Sequence, residues 1–259
     1  MFRDATGAPS VARITTRRDW TLEAVESVAV AHLDAATRDA LAQHWMQEAA
    51  FEHASIASFA RLTLDLMAFG APPDLLADAQ RAALDEIEHA KIAFALATAF
   101  GGDAVGPAPL SARSAACPSL AELARTTFVD ACVGESVAAA QLSDRAREAD
   151  DPALARLLST MAADEERHSE LAWRIVAWTL RSGDPEVVVA LTDARDEVVD
   201  EVVSLTHESV VLTTADELRA MVLREIVLPC VVALLEAHAG ALARTSSVPI
   251  LAAKVSFDA

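Results

Sequence analysis

Residues 85–89 read Asp-Glu-Ile-Glu-His, and residues 164–168 read Asp-Glu-Glu-Arg-His. Each copy of this Asp-Glu-x-x-His pattern follows a lone glutamate, Glu52 or Glu135, after about thirty residues, the length of one antiparallel helix hairpin. On a helix, residues three apart project from the same face, so the glutamate and the histidine of each copy point the same way. The repeat therefore predicts four helices that bring six metal-ligating side chains together.

The residue types of this set favour a pair of metal ions. Each Glu-x-x-His pair can chelate one ion, and a lone glutamate on the preceding helix suits either a bridging or a terminal ligand. Four carboxylates that converge in a helical core would repel one another without cations, and two divalent ions neutralise them. Oxygen and imidazole ligands without thiolates favour iron or manganese, although zinc also binds such a set. The predicted metal ligands, which are also the candidate catalytic residues, are Glu52, Glu86, His89, Glu135, Glu165 and His168.

Residues next to these ligands have candidate supporting roles. Asp85 and Asp164 precede the chelating glutamates, and each can accept the second ring N–H of a ligand histidine across the bundle. Glu48 lies one turn before Glu52, where it is either an extra ligand, a base beside Glu52, or a solvated or salt-bridged helix residue. We interpret Cys132, three residues before Glu135, as core packing.

The repeated pattern resembles the ferritin-like di-iron carboxylate superfamily. Within it, the chain is similar to ribonucleotide reductase small subunits, bacterial multicomponent monooxygenases and aryl-amine N-oxygenases. The resemblance covers residues 36–180 and implies ligand roles for the six residues named above. It also implies two Fe ions, or a mixed Mn/Fe pair, that activate O₂.

Three departures from these relatives narrow the expected chemistry. The chain has no tyrosine, so it does not store a radical on tyrosine as the common reductase subunits do. It has no Cys-x-x-Cys pair, which excludes a rubredoxin-like iron centre within this sequence. Met161 stands where the N-oxygenases carry an extra histidine, which argues against oxidation of an amine nitrogen.

Composition limits the partners and the compartment. With 259 residues, 53% of them hydrophobic, the chain can bury a sizeable core. A net charge of −18 opposes binding to nucleic acid. Three scattered cysteines favour a reducing compartment, the first residues lack the apolar run of a signal peptide, and the most apolar stretch, residues 226–237, is too short to span a bilayer. We therefore expect a cytoplasmic protein without nucleic-acid or membrane partners.

The sequence divides into three parts. Residues 1–35 are expected to form an arm or a short helix, residues 36–182 a ferritin-like four-helix bundle with a di-metal centre, and residues 183–259 a C-terminal helical extension. The overall fold class is therefore all-α. The apolar residues of the extension suit packing against the bundle or against a second subunit, as in a homodimer. The tail after residue 246 is expected to be loosely held.

Stop and cap signals set the expected helix bounds. The first two helices are predicted over residues 36–69 and 74–100, followed by a crossover over residues 101–118. Capping boxes are predicted to start the third and the sixth helices, and Asp-Pro steps are predicted to start the fourth and the fifth. A proline is expected to kink the sixth helix. These signals are Ser119 with Glu122, Asp151-Pro152, Asp184-Pro185, Thr214 with Glu217, and Pro229.

Small residues one turn from the ligands leave two interpretations open. They indicate either a cavity for O₂ and a small apolar substrate, or close helix packing without a cavity. These residues are Ser55, Ala82, Ala93, Ala138, Ala139 and Ala172. Similarly, Trp45, Trp173 and Trp178 can carry electrons, line a pocket or simply fill the core.

The favoured function is an oxidoreductase that uses O₂ and two electrons to oxidise a small organic substrate, with an external electron donor unless the substrate supplies the electrons. The alternative is iron oxidation, iron storage or peroxide removal, as in ferritins and rubrerythrins. A third hypothesis is a binding or structural protein that keeps the helical fold but has no catalytic activity.

Overall fold

The computed structural model of the protein describes residues 10–20, 28–111, 116–206 and 213–246, together with residues 2, 8, 22 and 25. The predicted tail after residue 246 lies outside the described residues, as do parts of the predicted arm and crossover. The described chain is mostly helical, as the fold-class prediction requires, and carries two short strands.

The first hairpin consists of α1 (Ala35–Ala68) and α2 (Pro73–Gly101). Asp34 begins α1 by accepting a 2.8 Å hydrogen bond from the backbone N–H of Thr37. Gly102, with a φ of 82°, follows α2 in the left-handed conformation that favours glycine. Because only a short turn separates the two helices, they run antiparallel, and both lie within one residue of their predicted bounds.

The second hairpin consists of one long composite helix and α5 (Pro152–Leu180). The composite helix begins as α3 (Leu120–Thr126), continues as a π-helical segment, π1 (Thr127–Val133), and ends as α4 (Gly134–Glu148). Ser119 accepts a 3.1 Å bond from the N–H of Glu122, which is one of the two bonds of the predicted capping box. Asp151 caps α5, as predicted.

Two strands tie the N-terminal arm to the crossover. β1 (Ile14–Thr16) pairs antiparallel with β2 (Val105–Pro107), with Ile14 opposite Pro107. The expectation of an arm or short helix did not include this pairing, because three residues are too few to produce an alternating pattern.

The C-terminal part contains α6 (Pro185–Leu205), α7 (Thr214–Val222), a second π-helical segment π2 (Leu223–Val227) and α8 (Leu228–Ser246). The capping box of α7 is formed by Thr213 and Asp216, so the prediction of Thr214 and Glu217 was wrong by one residue. π2 ends two residues before Pro229 of α8, and a proline lacks the N–H needed to bond back to the preceding turn.

Three apolar clusters hold these elements together. One joins the N-terminal arm to α1, α2 and the facing ends of α4 and α5. A second packs α6, π2 and α8 against the composite helix and α5, so the C-terminal helices lie on the second hairpin. A third joins α1, α2, α3 and α5. Among the described residues no helix combines the length and the apolar character needed to cross a membrane.

Candidate metal centre

The two Glu-x-x-His pairs meet where α2 and α5 face each other. Glu86 and His89 lie on α2, and Glu165 and His168 lie on α5. All four side chains are almost completely buried, at 1–3% exposure. The two imidazole rings lie 5.9 Å apart. Burying these four ionisable side chains close to one another costs free energy of folding unless they neutralise one another or bind cations.

The six predicted ligands come together as two overlapping groups. The first contains Glu52, Glu86, His89 and Glu165, and the second contains Glu135, Glu165 and His168, with the ligand atoms of each group within 4.8 Å of one another. Glu52 comes from α1 and Glu135 from α4, and both are half-buried. Glu165 belongs to both groups, so its two oxygens are placed to join two ions.

The spacing of the donor atoms suits one ion beside each histidine. His89 Nδ1 lies 3.1 Å from Glu165 Oε1, 3.9 Å from Glu52 Oε2 and 4.0 Å from Glu86 Oε2. Around an octahedral divalent ion with bonds of about 2.1 Å, adjacent donors lie about 3.0 Å apart and opposite donors about 4.2 Å apart. Glu165 Oε1 already lies at the distance of an adjacent donor, whereas Glu52 Oε2 and Glu86 Oε2 cannot both be opposite the same nitrogen, so at least one of them would move closer to His89 Nδ1 to share an ion.

His168 has a matching environment. Its Nδ1 lies 3.0 Å from Glu165 Oε2 and 3.2 Å from Glu86 Oε1. Glu86 and Glu165 thus each have one oxygen near each histidine, but Glu165 alone of the two belongs to both groups of potential ligands.

Two buried atoms of the cluster lack hydrogen bonds. Glu86 Oε2 and His89 Nδ1 have no hydrogen-bond partner among the described residues. Because buried polar atoms in native proteins are nearly always paired, these two orphans fit a site whose missing partner is a metal ion.

Hydrogen bonds cross between the two motifs and fix the orientation of both imidazoles. His89 Nε2 lies 3.0 Å from Asp164 Oδ2 and His168 Nε2 lies 3.3 Å from Asp85 Oδ2. These are the contacts that the sequence predicts for the two aspartates. When each Nε2–H donates to an aspartate, each Nδ1 faces the cluster, as a ligand nitrogen must.

Arg167, which the sequence did not lead us to predict, contacts both of these aspartates. Its Nη2 lies 2.5 Å from Asp164 Oδ1 and 3.3 Å from Asp85 Oδ2. The guanidinium therefore joins the two aspartates that hold the two histidines. The spacing of three residues between Asp164 and Arg167 on one helix could have predicted their contact.

Charge in the metal-free site is concentrated on one carboxylate. Burial, together with the neighbouring carboxylates, raises the pKa of Glu52 to about 7 and the pKa values of Glu86 and Glu135 well above the ordinary range. Burial alone would also raise the pKa of Glu165, but the hydrogen bond to His168 and the imidazole of His89 3.1 Å away lower it to about 2.

The two histidines respond in the opposite sense to ordinary buried histidines. Burial lowers the pKa of a histidine, yet the carboxylates of Glu165 and Glu52 outweigh it and raise the pKa of His89 to about 10. The pKa of His168 is likewise raised, with Glu165 as the main opposing group. Without metal, the cluster therefore balances its charge with protons, which divalent ions can replace.

Other residues weighed in the sequence take ordinary roles. Glu48 lies outside both ligand groups, with Oε1 3.8 Å from Nδ1 of His44. Cys132 is fully buried in an apolar cluster, as expected. Trp45 is buried in the core, while Trp173 and Trp178 are partly buried and pack against apolar clusters.

A cavity of about 300 Å³ lies between α1 and the composite helix, and Glu135 forms part of its wall. Phe59, another wall residue, packs edge-on against the imidazole of His168 with ring centroids 5.1 Å apart. The cavity therefore contacts the candidate ligand Glu135 directly, and the ring of Phe59 lies between the cavity and the candidate ligand His168. Phe59 lies on the same stripe of α1 as Glu52, which was the sequence signal for this wall.

The small residues proposed as the cavity wall mostly fill the core instead. Of the six, Ser55 alone lines this cavity. The alanines at 82, 93, 139 and 172 are buried in close packing. Most of the wall comes from residues that the sequence analysis did not single out, among them Arg61, Asp65, Leu62, Leu123, Thr127 and Ala131.

Comparisons with known proteins add no relative: no family model matches the chain, and neither the curated proteins nor the solved structures gave a match.

Proposed function

We propose that the protein is a ferritin-like di-metal carboxylate oxidoreductase that uses O₂ to oxidise a small organic molecule. In the simplest balanced reaction, R–H, O₂, two electrons and two protons give R–OH and water. The electrons come from an external reduced carrier protein. Iron, or manganese with iron, is the metal that the mixed oxygen and imidazole donor set favours.

The observation that carries this proposal is the position of Glu165. One carboxylate is shared by two donor groups, each of which includes a histidine and a glutamate from another helix. A solvated acidic helix face would not bury these groups, and a mononuclear site would not need the second histidine. Helices α1, α2, α4 and α5 each contribute a donor, which supports a ferritin-like arrangement of four helices.

Some of these residues would bind the ions, and others would orient the ligands. Glu52, Glu86, His89 and Glu165 would hold one ion, and Glu135, Glu165 and His168 the other. Two redox-active ions at this site would supply O₂ binding and electron transfer to O₂.

The protein itself supplies orientation and exclusion of water. Asp85, Asp164 and Arg167 fix the imidazoles through the crossed contacts. Apolar clusters enclose the donors on the side of the core, while the half-buried Glu135 meets the cavity. A substrate in the cavity would therefore lie beside Glu135 and the ion that it would hold.

Metal counting and reaction with O₂ test the proposal. Protein from iron- and manganese-supplemented cells is expected to hold two metal ions per chain. After anaerobic reduction, mixing with O₂ is expected to change the optical and Mössbauer spectra. Glu165→Gln should abolish both results, whereas Glu166→Gln, the same change at an exposed neighbour, should leave them intact. A metal-free chain, or one zinc ion inert to O₂, would contradict the proposal.

Iron loading separates this function from storage. Storage requires a hollow multimeric shell and uptake of many ions, so we expect iron uptake to saturate at about two ions per chain. Light scattering is expected to give a monomer or dimer. A large shell that accumulates iron would favour the ferritin-like alternative instead.

A further inference from the structure

Two buried serines lie directly beside two members of the second donor group, Glu135 and His168. Ser136 follows Glu135 on α4, Ser169 follows His168 on α5, and both serines are 8% exposed. Their hydroxyl oxygens lie 2.8 Å apart. Ser136 donates its hydrogen to the backbone oxygen of Cys132 at 2.7 Å, so the hydrogen between the two serines comes from Ser169. The serine pair therefore forms a hydrogen-bond chain from α5 to the end of π1.

The first half of the repeat has no such link. The residues at the corresponding positions are His53, which follows Glu52, and Ala90, which follows His89. Alanine has no polar side-chain atom, and His53 packs edge-on against Trp20 with ring centroids 5.3 Å apart. Ala90 is completely buried, so this position of the repeat accommodates an apolar residue. Burial alone therefore does not account for the two hydroxyls of the second half.

A contact between the two serines controls where the neighbouring ligands point. Successive residues on an α-helix lie about 100° apart around its axis, so a serine fixed against the facing helix sets the direction of the ligand next to it. Rotating a helix by about 10° moves an atom about 6 Å from the axis by about 1 Å. Distances between a metal ion and its ligands vary by only about 0.2 Å. A small rotation of α4 or α5 is therefore enough to take Glu135 or His168 out of the range of an ion.

The second donor group depends on this alignment more than the first. It contains three residues, whereas the first contains four, so we expect it to bind its ion more weakly. Its member Glu135 also forms part of the cavity wall and is therefore held by protein on fewer sides. When donors are few, affinity depends strongly on how well they are positioned before the ion arrives.

We propose that Ser136 and Ser169 are positioning residues that align Glu135 and His168, and so set the affinity of the second ion independently of the first. Asp85 orients the imidazole ring of His168, whereas the serine pair holds the two helices at the rotation that brings both ligands to one ion. The inference rests on the metal binding of the proposed function and not on its reaction with O₂.

Stepwise calorimetric titration with Mn²⁺ under anaerobic conditions tests this inference. The parent protein is expected to bind one ion more tightly than the other. Combining Ser136→Ala with Ser169→Ala removes both hydroxyls and leaves neither unpaired, so the metal-free melting temperature should change by no more than a few degrees. The affinity for the second ion is expected to fall about tenfold, and the affinity for the first by less than about twofold.

Electron paramagnetic resonance reports the pairing of the ions independently. With two equivalents of Mn²⁺, the parent protein should show the spectrum of a magnetically coupled pair, and the double serine variant mainly that of isolated ions. Ser159→Ala is the control, because Ser159 is exposed on the same helix and donates to the backbone oxygen of Ala155. This variant should keep both the coupled spectrum and the two affinities of the parent protein.

A second background shows whether the serines act through the second ion alone. His168→Ala removes the histidine of the second group, so only the first ion should remain bound. Adding the two serine changes to His168→Ala is expected to leave the affinity for that ion unchanged within about twofold. A further loss would show a general loosening of the helices and overturn the inference.

The remaining outcomes separate this inference from the proposed function. Equal losses of affinity for both ions in the double serine variant, or an unchanged affinity for the second ion, would overturn the inference and leave the proposed function intact. A parent protein that binds fewer than two ions would overturn both. If the serine changes weaken only the second ion but the metal-loaded protein is inert to O₂, the proposed function alone would be contradicted.

Discussion

At Glu165, contacts with two histidines determine the charge of the metal-free site. His89 and His168 hold the pKa of this carboxyl at about 2, while burial raises the pKa values of Glu86 and Glu135 well above the ordinary range. Residues of one chemical type thus have opposite protonation preferences, because, of these three carboxyls, only Glu165 lies within 3.1 Å of both imidazoles.

Glu86→Gln should separate metal binding from folding. Because the buried Glu86 carboxyl favours its protonated form, an amide of the same shape should change metal-free stability by less than about 1 kcal/mol. The rise in melting temperature on adding Mn²⁺ or Zn²⁺ is expected to disappear, since an amide is a poor substitute for a carboxylate ligand. Thermal unfolding with and without metal measures both effects.

Glu88→Gln is the matched control for this change, because Glu88 belongs to the same motif but is exposed and paired with Lys91. It should keep the full metal-induced stabilisation. Loss of stabilisation in both variants, or in neither, would contradict the assignment of Glu86 as a ligand.

Asp164→Asn tests the crossed contact with His89. The amide keeps the size of the carboxylate but loses its charge, so the imidazole is held less firmly and metal affinity should fall about 10- to 100-fold. The structure offers a close control in Asp144, which pairs with Arg147 three residues later as Asp164 pairs with Arg167. Competition with a chelator measures the affinity, and equal losses in Asp144→Asn and Asp164→Asn would point to a general charge effect.

At the scale of the secondary-structure elements, capping residues determine where the helices begin. Asp151 accepts bonds from the N–H groups of Ala153 and Leu154 in α5 and from Ala29 in the N-terminal arm, at 2.7, 3.1 and 2.8 Å. One carboxylate therefore caps the helix that carries Glu165 and His168 and also fastens the arm to it.

Asp151→Ala should lower the melting temperature by a few degrees, whereas Asp150→Ala, at an exposed neighbour, should have little effect. The backbone bonds hold the pKa of Asp151 below its ordinary value, so its contribution is present at neutral pH and is lost as pH falls through that lowered pKa. The difference between Asp151→Ala and the parent protein should therefore shrink in acid. Thermal unfolding across pH checks this, and a difference that grows in acid would contradict it.

Much of the fold and the cluster of candidate ligands was predictable because both depend on local signals. The caps at Asp151 and Asp184 each combine a side-chain acceptor with a proline at the first helical position. Glu86 with His89, and Glu165 with His168, follow from the spacing of residues on one helix. The crossed aspartates then follow from the symmetry of the repeat.

The features that sequence did not predict depend on tertiary packing. π1 has no distinguishing composition, yet it places Thr127 and Ala131 along the cavity next to Glu135. The pairing of β1 with β2 joins segments about ninety residues apart, too distant for a turn signal. The cavity itself results from how α1 and the composite helix are spaced, and alanine patterns cannot distinguish space from close packing.

At the scale of the whole molecule, the charge of the protein and the proposed binding of metal are linked. The formal net charge of −18 counts every carboxyl as ionised, but the raised pKa values of Glu86 and Glu135 keep these two carboxyls protonated in the absence of cations. The pKa values of Glu52, about 7, and His89, about 10, lie at or above neutral pH. Binding of metal must therefore expel protons from the folded protein.

Metal affinity is consequently expected to rise with pH. Because the pKa values of Glu52 and His89 exceed those of the free side chains, protons compete with metal at neutral pH, and their competition weakens as pH increases through about 7 and toward about 10. Calorimetric titration with Mn²⁺ at pH 7, in buffers of different ionisation enthalpy, should show release of more than one proton per chain. The release should be smaller at pH 8.5, where Glu52 has already lost its proton. A buffer-independent heat would mean that the donors are unprotonated before metal arrives, and it would contradict the balance of charge by protons in the cluster.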